Sequence, residues 1–313
     1  MQKNPFLYSF NEKRYHAFNY YLRNRYQRKV AKIILDAGFT CPNRDGTKGF
    51  GGCIFCSEKG SGDSNRYSCE DLLKQYAENR KIMERKWPDA LYMPYFQAFS
   101  NTYGPLDKIR NMLEPFLEME EVAEIAIATR CDCLSEEVLA YLDAQCARKQ
   151  IWLELGLQTS SDEVGKKINR QYDFADFQDA LLRLEKTQIK TCVHVMNGLP
   201  FETREDMLKT IRDISHLPFE GIKIHMLHIL KDTVLGHMHE QSPFRLISRE
   251  QYIELVVRQL EELSPEVVIQ RLTGDPIAQD LLAPKWLLNK TTILNDIDKL
   301  MRKENVCQGD RYE

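Results

Sequence analysis

Three cysteines in one loop constrain this chain more than any other feature. Eleven residues separate Cys41 from Cys53 and two separate Cys53 from Cys56, in a segment that opens Cys41-Pro42-Asn43-Arg44-Asp45-Gly46 and closes Gly51-Gly52-Cys53-Ile54-Phe55-Cys56. Three thiolates from one loop can hold three irons of a [4Fe–4S] cube, two of them sharing the short C-x-x-C turn. The glycines let the backbone fold tightly and turn N–H groups toward sulfur. No fourth cysteine follows at ligand spacing, so one iron is left for a small molecule. A structural zinc site is the competing reading, with Cys69 as the fourth of four N or S ligands. The surroundings favour the cluster. The loop leaves an apolar run, Val30-Ala31-Lys32-Ile33-Ile34-Leu35, and opens into a helix near Glu70, whereas zinc ribbons are small hairpin-borne units.

The rest of the chain alternates between two patterns. Apolar runs at 30–35, 91–99, 125–128, 151–158, 191–196, 221–228 and 267–269 read as strands. Amphipathic stretches at 70–85, 106–118, 135–147, 174–186, 207–216, 251–263 and 294–304 read as helices. Such alternation predicts βα units on a parallel sheet. Six units precede the C-terminal segment, fewer than a closed eight-unit barrel needs. In these barrels chemistry collects at the C-terminal ends of the strands. Here those ends carry Cys41, Gln97, Thr129, Glu154, Gln158 and His194.

Charge adds one local signal. With 43 Lys and Arg against 46 Asp and Glu the net charge is −3, which does not announce a nucleic-acid binder. Residues 11–32 nevertheless hold seven cations and one acid, Glu12, interleaved with Tyr15, Phe18, Tyr20, Tyr21 and Tyr26. Cations for phosphates and rings for stacking suit single-stranded RNA. The other reading is a basic helix whose aromatics pack on the bottom of the barrel. Nine cysteines, an odd number gathered around one site, point to a reducing cytoplasm with metal chemistry rather than a disulfide scaffold. Cys131 and Cys133 are too few for a second cluster and, like Cys69, Cys146, Cys192 and Cys307, read as buried thiols. No run of 18 apolar residues occurs, so no membrane span is expected.

At this point the chain resembles a radical S-adenosylmethionine (SAM) enzyme of the YhcC/YtqA-type family. The matching pieces are the three-cysteine loop, Tyr95-Phe96-Gln97-Ala98-Phe99-Ser100-Asn101-Thr102, Ala128-Thr129-Arg130, Trp152 to Gln158, Ile168-Asn169-Arg170, His194 to Pro200, and Arg271-Leu272-Thr273-Gly274-Asp275. The resemblance covers nearly the whole chain. It implies an α/β fold, a partial (β/α)6 TIM-like barrel over residues 30–264, with a basic aromatic extension at 1–29 and a C-terminal extension at 265–313. It implies a [4Fe–4S] cluster on Cys41, Cys53 and Cys56, whose open iron SAM chelates through its amino and carboxylate groups. An electron from the cluster then cleaves SAM to methionine and a 5′-deoxyadenosyl radical.

By the same resemblance, Gln97 stands where related enzymes bind the SAM amino group. Glu154, Gln158 and Arg170 match polar positions around its ribose and carboxylate, and His194 is a further candidate. Two departures are visible: Cys131 replaces a usual proline, and Lys231-Asp232-Thr233 lacks a usual glycine. The implied activity is tRNA modification, the conversion of a carboxymethylaminomethyl to an aminomethyl group on the wobble uridine, with residues 13–32 contacting the anticodon arm. The implied partners are a flavodoxin- or ferredoxin-like electron donor and a downstream tRNA methyltransferase. The alternatives are a radical SAM enzyme acting on a small metabolite or peptide, and a non-catalytic zinc- or cluster-bearing RNA-binding protein.

Overall fold

The computed structural model describes residues 4–58, 60 and 71–313. Cys69, the fourth ligand of the zinc alternative, lies outside the described residues. The strands are β1 (Val30–Leu35), β2 (Leu91–Phe96), β3 (Glu124–Thr129), β4 (Gln150–Gln158), β5 (Lys190–Asn197) and β6 (Gly221–Met226). A short pair, β7 (Ile229–Leu230) with β9 (Leu281–Ala283), brackets β8 (Val268–Arg271). Among the described residues one sheet runs β1-β2-β3-β4-β5-β6-β8, every neighbour parallel. The order never reverses, so the crossovers wind one way and the sheet curls into a half-barrel. The expected partial barrel therefore has one strand more than six, because β8 from the C-terminal segment pairs with β6.

Alternation along the strands separates two interiors. Ile33, Leu35, Ile125, Ile127, Leu153, Leu155, Val193, Val195, Ile222 and Ile224 pack outward into one large core with the helices. The other parity, with Val30, Met93, Tyr95, Ala126, Trp152 and Cys192, forms a smaller cluster inside the curl. Such strands are buried on both faces and read as nearly continuous apolar runs. The helices start where the chain supplies acceptors for free N–H groups. Thr203 and Ser248 form capping boxes with Asp206 and Gln251 at α7 (Arg204–Ser215) and α9 (Arg249–Glu261). Ser135 caps the Val138 N–H alone, since the apolar Val138 side chain has no acceptor to return the bond.

The basic N-terminal stretch forms α1 (Phe18–Tyr26), the basic helix that is one of the two readings of this segment. It covers the N-terminal end of the half-barrel. Tyr21 and Tyr26 donate to Glu124 Oε1 at 3.0 and 2.9 Å, and Trp152 Nε1 donates to Glu124 Oε2 at 2.7 Å. Tyr21 and Phe18 meet Trp152 edge to face. The aromatics of this segment thus pack on the barrel bottom, while Arg23, Arg25 and Arg28 stay exposed. Lys32 of β1 reaches Gln270 Oε1 of β8 at 3.1 Å, joining the two edges of the sheet. No helix among the described residues is long and apolar enough to cross a membrane.

Candidate active site

At the C-terminal ends of the strands lies a cavity of about 510 Å³ whose walls include Cys41, Cys53 and Cys56. The loop that carries them is held by its own backbone. Arg44 N–H donates to Cys41 O, and Cys56 N–H closes the C-x-x-C turn onto Cys53 O. Ile54 bonds on one side to Ile168 O and on the other accepts Leu235 N–H, the latter from α8 (Val234–Gln241). Gly52 has φ +78° and a Cβ there would meet Arg44 Nε at 2.9 Å, so glycine is required twice over. The fully buried Asn43 directs Nδ2 at Cys53 Sγ, 3.8 Å away.

The three cysteines are half-buried and close enough to act on one another. Burial first, then Cys56 and Cys41, push the Cys53 thiol up to about 12, with Arg130 opposing. A thiol in that setting becomes a ligand when a metal displaces its proton. Among the described residues no three His, Cys, Asp or Glu side chains converge on one metal ion. Thiolates that bind three corners of a cube stand further apart than ligands sharing one ion. Three thiols, an N–H donor on sulfur and a neighbouring guanidinium fit an iron–sulfur cluster.

Below the cysteines the curl is polar. Glu154 of β4 is 1 % exposed. Its Oε1 accepts Lys32 Nζ at 2.8 Å, while its Oε2 accepts His194 Nε2 at 3.0 Å and the ammonium of Lys223. Lys223 also donates to the Tyr95 hydroxyl at 3.1 Å. Burial alone would raise the Glu154 pKa, but Lys223, Lys32 and His194 hold it well below the carboxylate range. Burial pulls Lys223 below the ordinary lysine range against the attraction of Glu154. His194, buried and facing Lys223, drops to about 4 and is neutral near pH 7. The Glu154 carboxylate is committed to these three partners.

The remaining expected site residues separate into cavity walls and supports. Gln97 and Gln158 line the cavity. Gln158 has φ +71° and follows a register irregularity in β4, and its amide folds back over Gly156. Such strain is held only where surrounding structure imposes it. Arg170 is fully buried and donates to Leu157 O, Thr159 O, Tyr172 O and Asp162 Oδ1. It braces the turn after β4 and shows the cavity its flank over the Tyr172 ring. Arg130 makes a bidentate pair with Asp132 at 2.8 Å, which Lys48 of the cysteine loop also engages. Cys131, Cys133, Cys192 and Cys307 are buried thiols and Cys146 is half-buried.

Sequence reasoning did not single out Lys32, Tyr95, Lys223 or His225, all of which line or support the cavity. The signal was present as polar residues at period two inside apolar strands: Lys32 in β1, Glu154 and Gln158 in β4, His194 in β5, Lys223 and His225 in β6.

Comparisons with known proteins agree with this geometry. A family model described as "Radical SAM superfamily" matches residues 41–214, and one described as "Radical_SAM C-terminal domain" matches 219–303. The uncharacterized protein YtqA of Bacillus subtilis is 42% identical over all of this chain and 97% of its own length. Protein YhcC of Escherichia coli is 32% identical over 91% of each chain. Archaeosine synthase subunit beta of Methanosarcina acetivorans is 26% identical over 72% of this chain and 66% of its own. Among solved structures, Elp3 of Methanocaldococcus infernus superposes with a TM-score of 0.65 at 17% identity over 89% of this chain. The match spans 64% of that longer protein and shows the shared fold. Family model, full-length relatives and half-barrel together show that the chain belongs to the radical SAM superfamily and, within it, to the YhcC/YtqA-type family, whose cofactors are a [4Fe–4S] cluster and SAM.

Proposed function

We propose that this radical SAM enzyme modifies tRNA, converting the carboxymethylaminomethyl group of a wobble uridine to aminomethyl. The observation that carries the RNA reading is the rim of the cavity. Phe50, at the tip of the cysteine loop, is 79 % exposed; the loop after β1, the short helix after β4 (Asp162–Lys167) and the turn after β7 present the exposed lysines Lys48, Lys166, Lys167 and Lys231. An exposed ring among cations is a platform for a splayed base. A relative whose printed name is that of a tRNA modification, the tRNA-2-methylthio-N(6)-dimethylallyladenosine synthase of Clostridium botulinum, and one named for a modified nucleoside, archaeosine synthase subunit beta, support the same reading. The rim replaces α1 as the docking face, because α1 sits at the opposite end of the strands with its aromatics turned inward.

Cys41, Cys53 and Cys56 would hold the cluster, and Gln97, Gln158 and His194 stand in the same cavity to orient SAM. When bound, cluster and SAM supply a hydrogen-abstracting radical. The chain's own residues shape the cavity, exclude water from it and fix the substrate arm. A flavodoxin- or ferredoxin-like donor supplies the electron, and a tRNA methyltransferase takes the aminomethyl product.

Phe50→Ala and Lys166→Ala plus Lys231→Ala test the docking by anisotropy titration of bulk tRNA across a salt series. Phe50→Ala is expected to cost about 1–3 kcal/mol of binding, and the double lysine variant to reduce the salt slope by about 0.7 per lost contact. Unchanged affinity and slope in both would refute the rim as the RNA face. Nucleoside analysis of tRNA from a deletion strain tests the reaction: carboxymethylaminomethyluridine should accumulate and aminomethyluridine should disappear.

A further inference from the structure

The cavity wall carried by β6 and β8 holds cations whose acidic partners are shared or exposed. Glu154 is shared by Lys32 and Lys223, and Asp275 is shared by Arg271, at 3.7 Å, and Lys290. Lys223 and Arg271 both line the cavity, on the adjacent strands β6 and β8. Asp280 is another acid on that wall, and it is exposed at the rim. Arg271 therefore faces the cavity beside an exposed carboxylate, Asp275, that Lys290 also engages, which leaves its guanidinium open to a further anion.

A second, independent observation points to the same place. His225 and His228 line the cavity, and the Nε2 atom of each is buried without a hydrogen-bond partner. Buried polar atoms ordinarily have partners. The Thr273 hydroxyl and Gln270 Nε2, on the segment that carries Arg271, are buried and unpartnered as well. The backbone is built for the arrangement: a Cβ at Gly274 would collide with the His228 ring.

We infer that this wall is a carboxylate-binding subsite, in which Arg271, Lys223, His225 and His228 receive a terminal carboxylate on the arm of the substrate. The inference deepens the tRNA reading above and rests on it for the identity of the arm. A carboxylate suits the site better than a backbone phosphate. A phosphodiester is flanked by two sugars and cannot reach a buried wall, whereas a carboxylate at the end of a flexible arm can. The SAM carboxylate would lie instead with the cluster that Cys41, Cys53 and Cys56 would hold.

Two measurements test the assignment. In the first, the full chain labelled with 15N-histidine is titrated with sodium acetate against sodium chloride at constant ionic strength. Saturable shifts of the His225 and His228 resonances are expected, and Arg271→Gln should abolish them while Arg271→Lys retains them. No shift would overturn the subsite. In the second, the reconstituted holoenzyme with SAM binds anticodon stem–loops carrying carboxymethylaminomethyluridine or aminomethyluridine. The carboxylate should tighten binding by about tenfold or more, and Arg271→Gln should erase the difference. Equal binding of the two RNAs would overturn the assignment while leaving the RNA reading standing. Acetate shifts with no binding of either RNA would uphold the subsite and refute the RNA reading. If Arg271→Gln weakens SAM binding by the same factor, the occupant is the SAM carboxylate and the assignment fails.

Discussion

His194 Nε2 lies 3.0 Å from the same Glu154 oxygen that receives the ammonium of Lys223. With the imidazole neutral, Nε2–H donates and the other ring nitrogen carries no proton. Glu154 thereby anchors β1, β5 and β6 to β4 through one buried carboxylate. Glu154→Gln strands two ammoniums in the curl and should destabilise the cluster-free protein by about 3–5 kcal/mol, read from urea unfolding. A loss below about 1 kcal/mol would mean that the network is solvated and does not brace the barrel.

The buried histidines give stability a definite pH dependence. The folded-state pKa of His194 is lowered from 6.5 to about 4 by burial and by Lys223. As pH falls below 6.5 the unfolded chain takes up this proton and the folded chain does not, so stability declines until about pH 4 and is then level. At about 1.4 kcal/mol per unit the decline from His194 is about 3 kcal/mol. Unfolding free energies of wild type and His194→Gln should therefore converge or cross as pH falls from 6.5 to 4. Parallel curves would show that His194 protonates freely in the folded state.

The α1 plug is equally exposed to test. Glu124 is fully buried and takes donors from Trp152, Tyr21 and Tyr26. Glu124→Ala removes both acceptor oxygens and leaves the Trp152 and Tyr21 donors unpaired, while Tyr26 keeps Ala123 O, at a cost of about 1–3 kcal/mol for each stranded donor that water cannot reach. The expected readout is a lower urea midpoint together with a red-shifted Trp emission, as Trp152 becomes wetter. Tyr21→Phe, which removes one donor, should cost far less. Equal losses would place the energy in the aromatic contact rather than in the hydrogen bonds.

Local features of the sequence carried the architecture. The C-x11-C-x2-C spacing located one wall of the cavity, and the apolar runs located every strand of the barrel, because each is a property of neighbouring residues. The polar floor was harder. Lys223 lies in Gly221-Ile222-Lys223-Ile224 as a single charge between β-branched neighbours, and the partner that gives it a role, Glu154, is 69 residues away. The fate of the N-terminal aromatics depended on a contact between Tyr21 and Glu124 across 103 residues. Arg170 belonged to a matching motif, yet its donors go to backbone carbonyls and Asp162, which only three-dimensional packing decides.

Cys41, Cys53 and Cys56 are proposed to hold the cluster at which SAM is cleaved. Anaerobic reconstitution with iron and sulfide, followed by reduction with SAM and quantitation of 5′-deoxyadenosine with and without bulk tRNA, tests this proposal directly. Iron and sulfide bound in cluster proportion, 5′-deoxyadenosine that Cys53→Ala abolishes, and faster production when tRNA is present are expected. Stoichiometric zinc without sulfide, and no 5′-deoxyadenosine under any condition, would contradict the proposal.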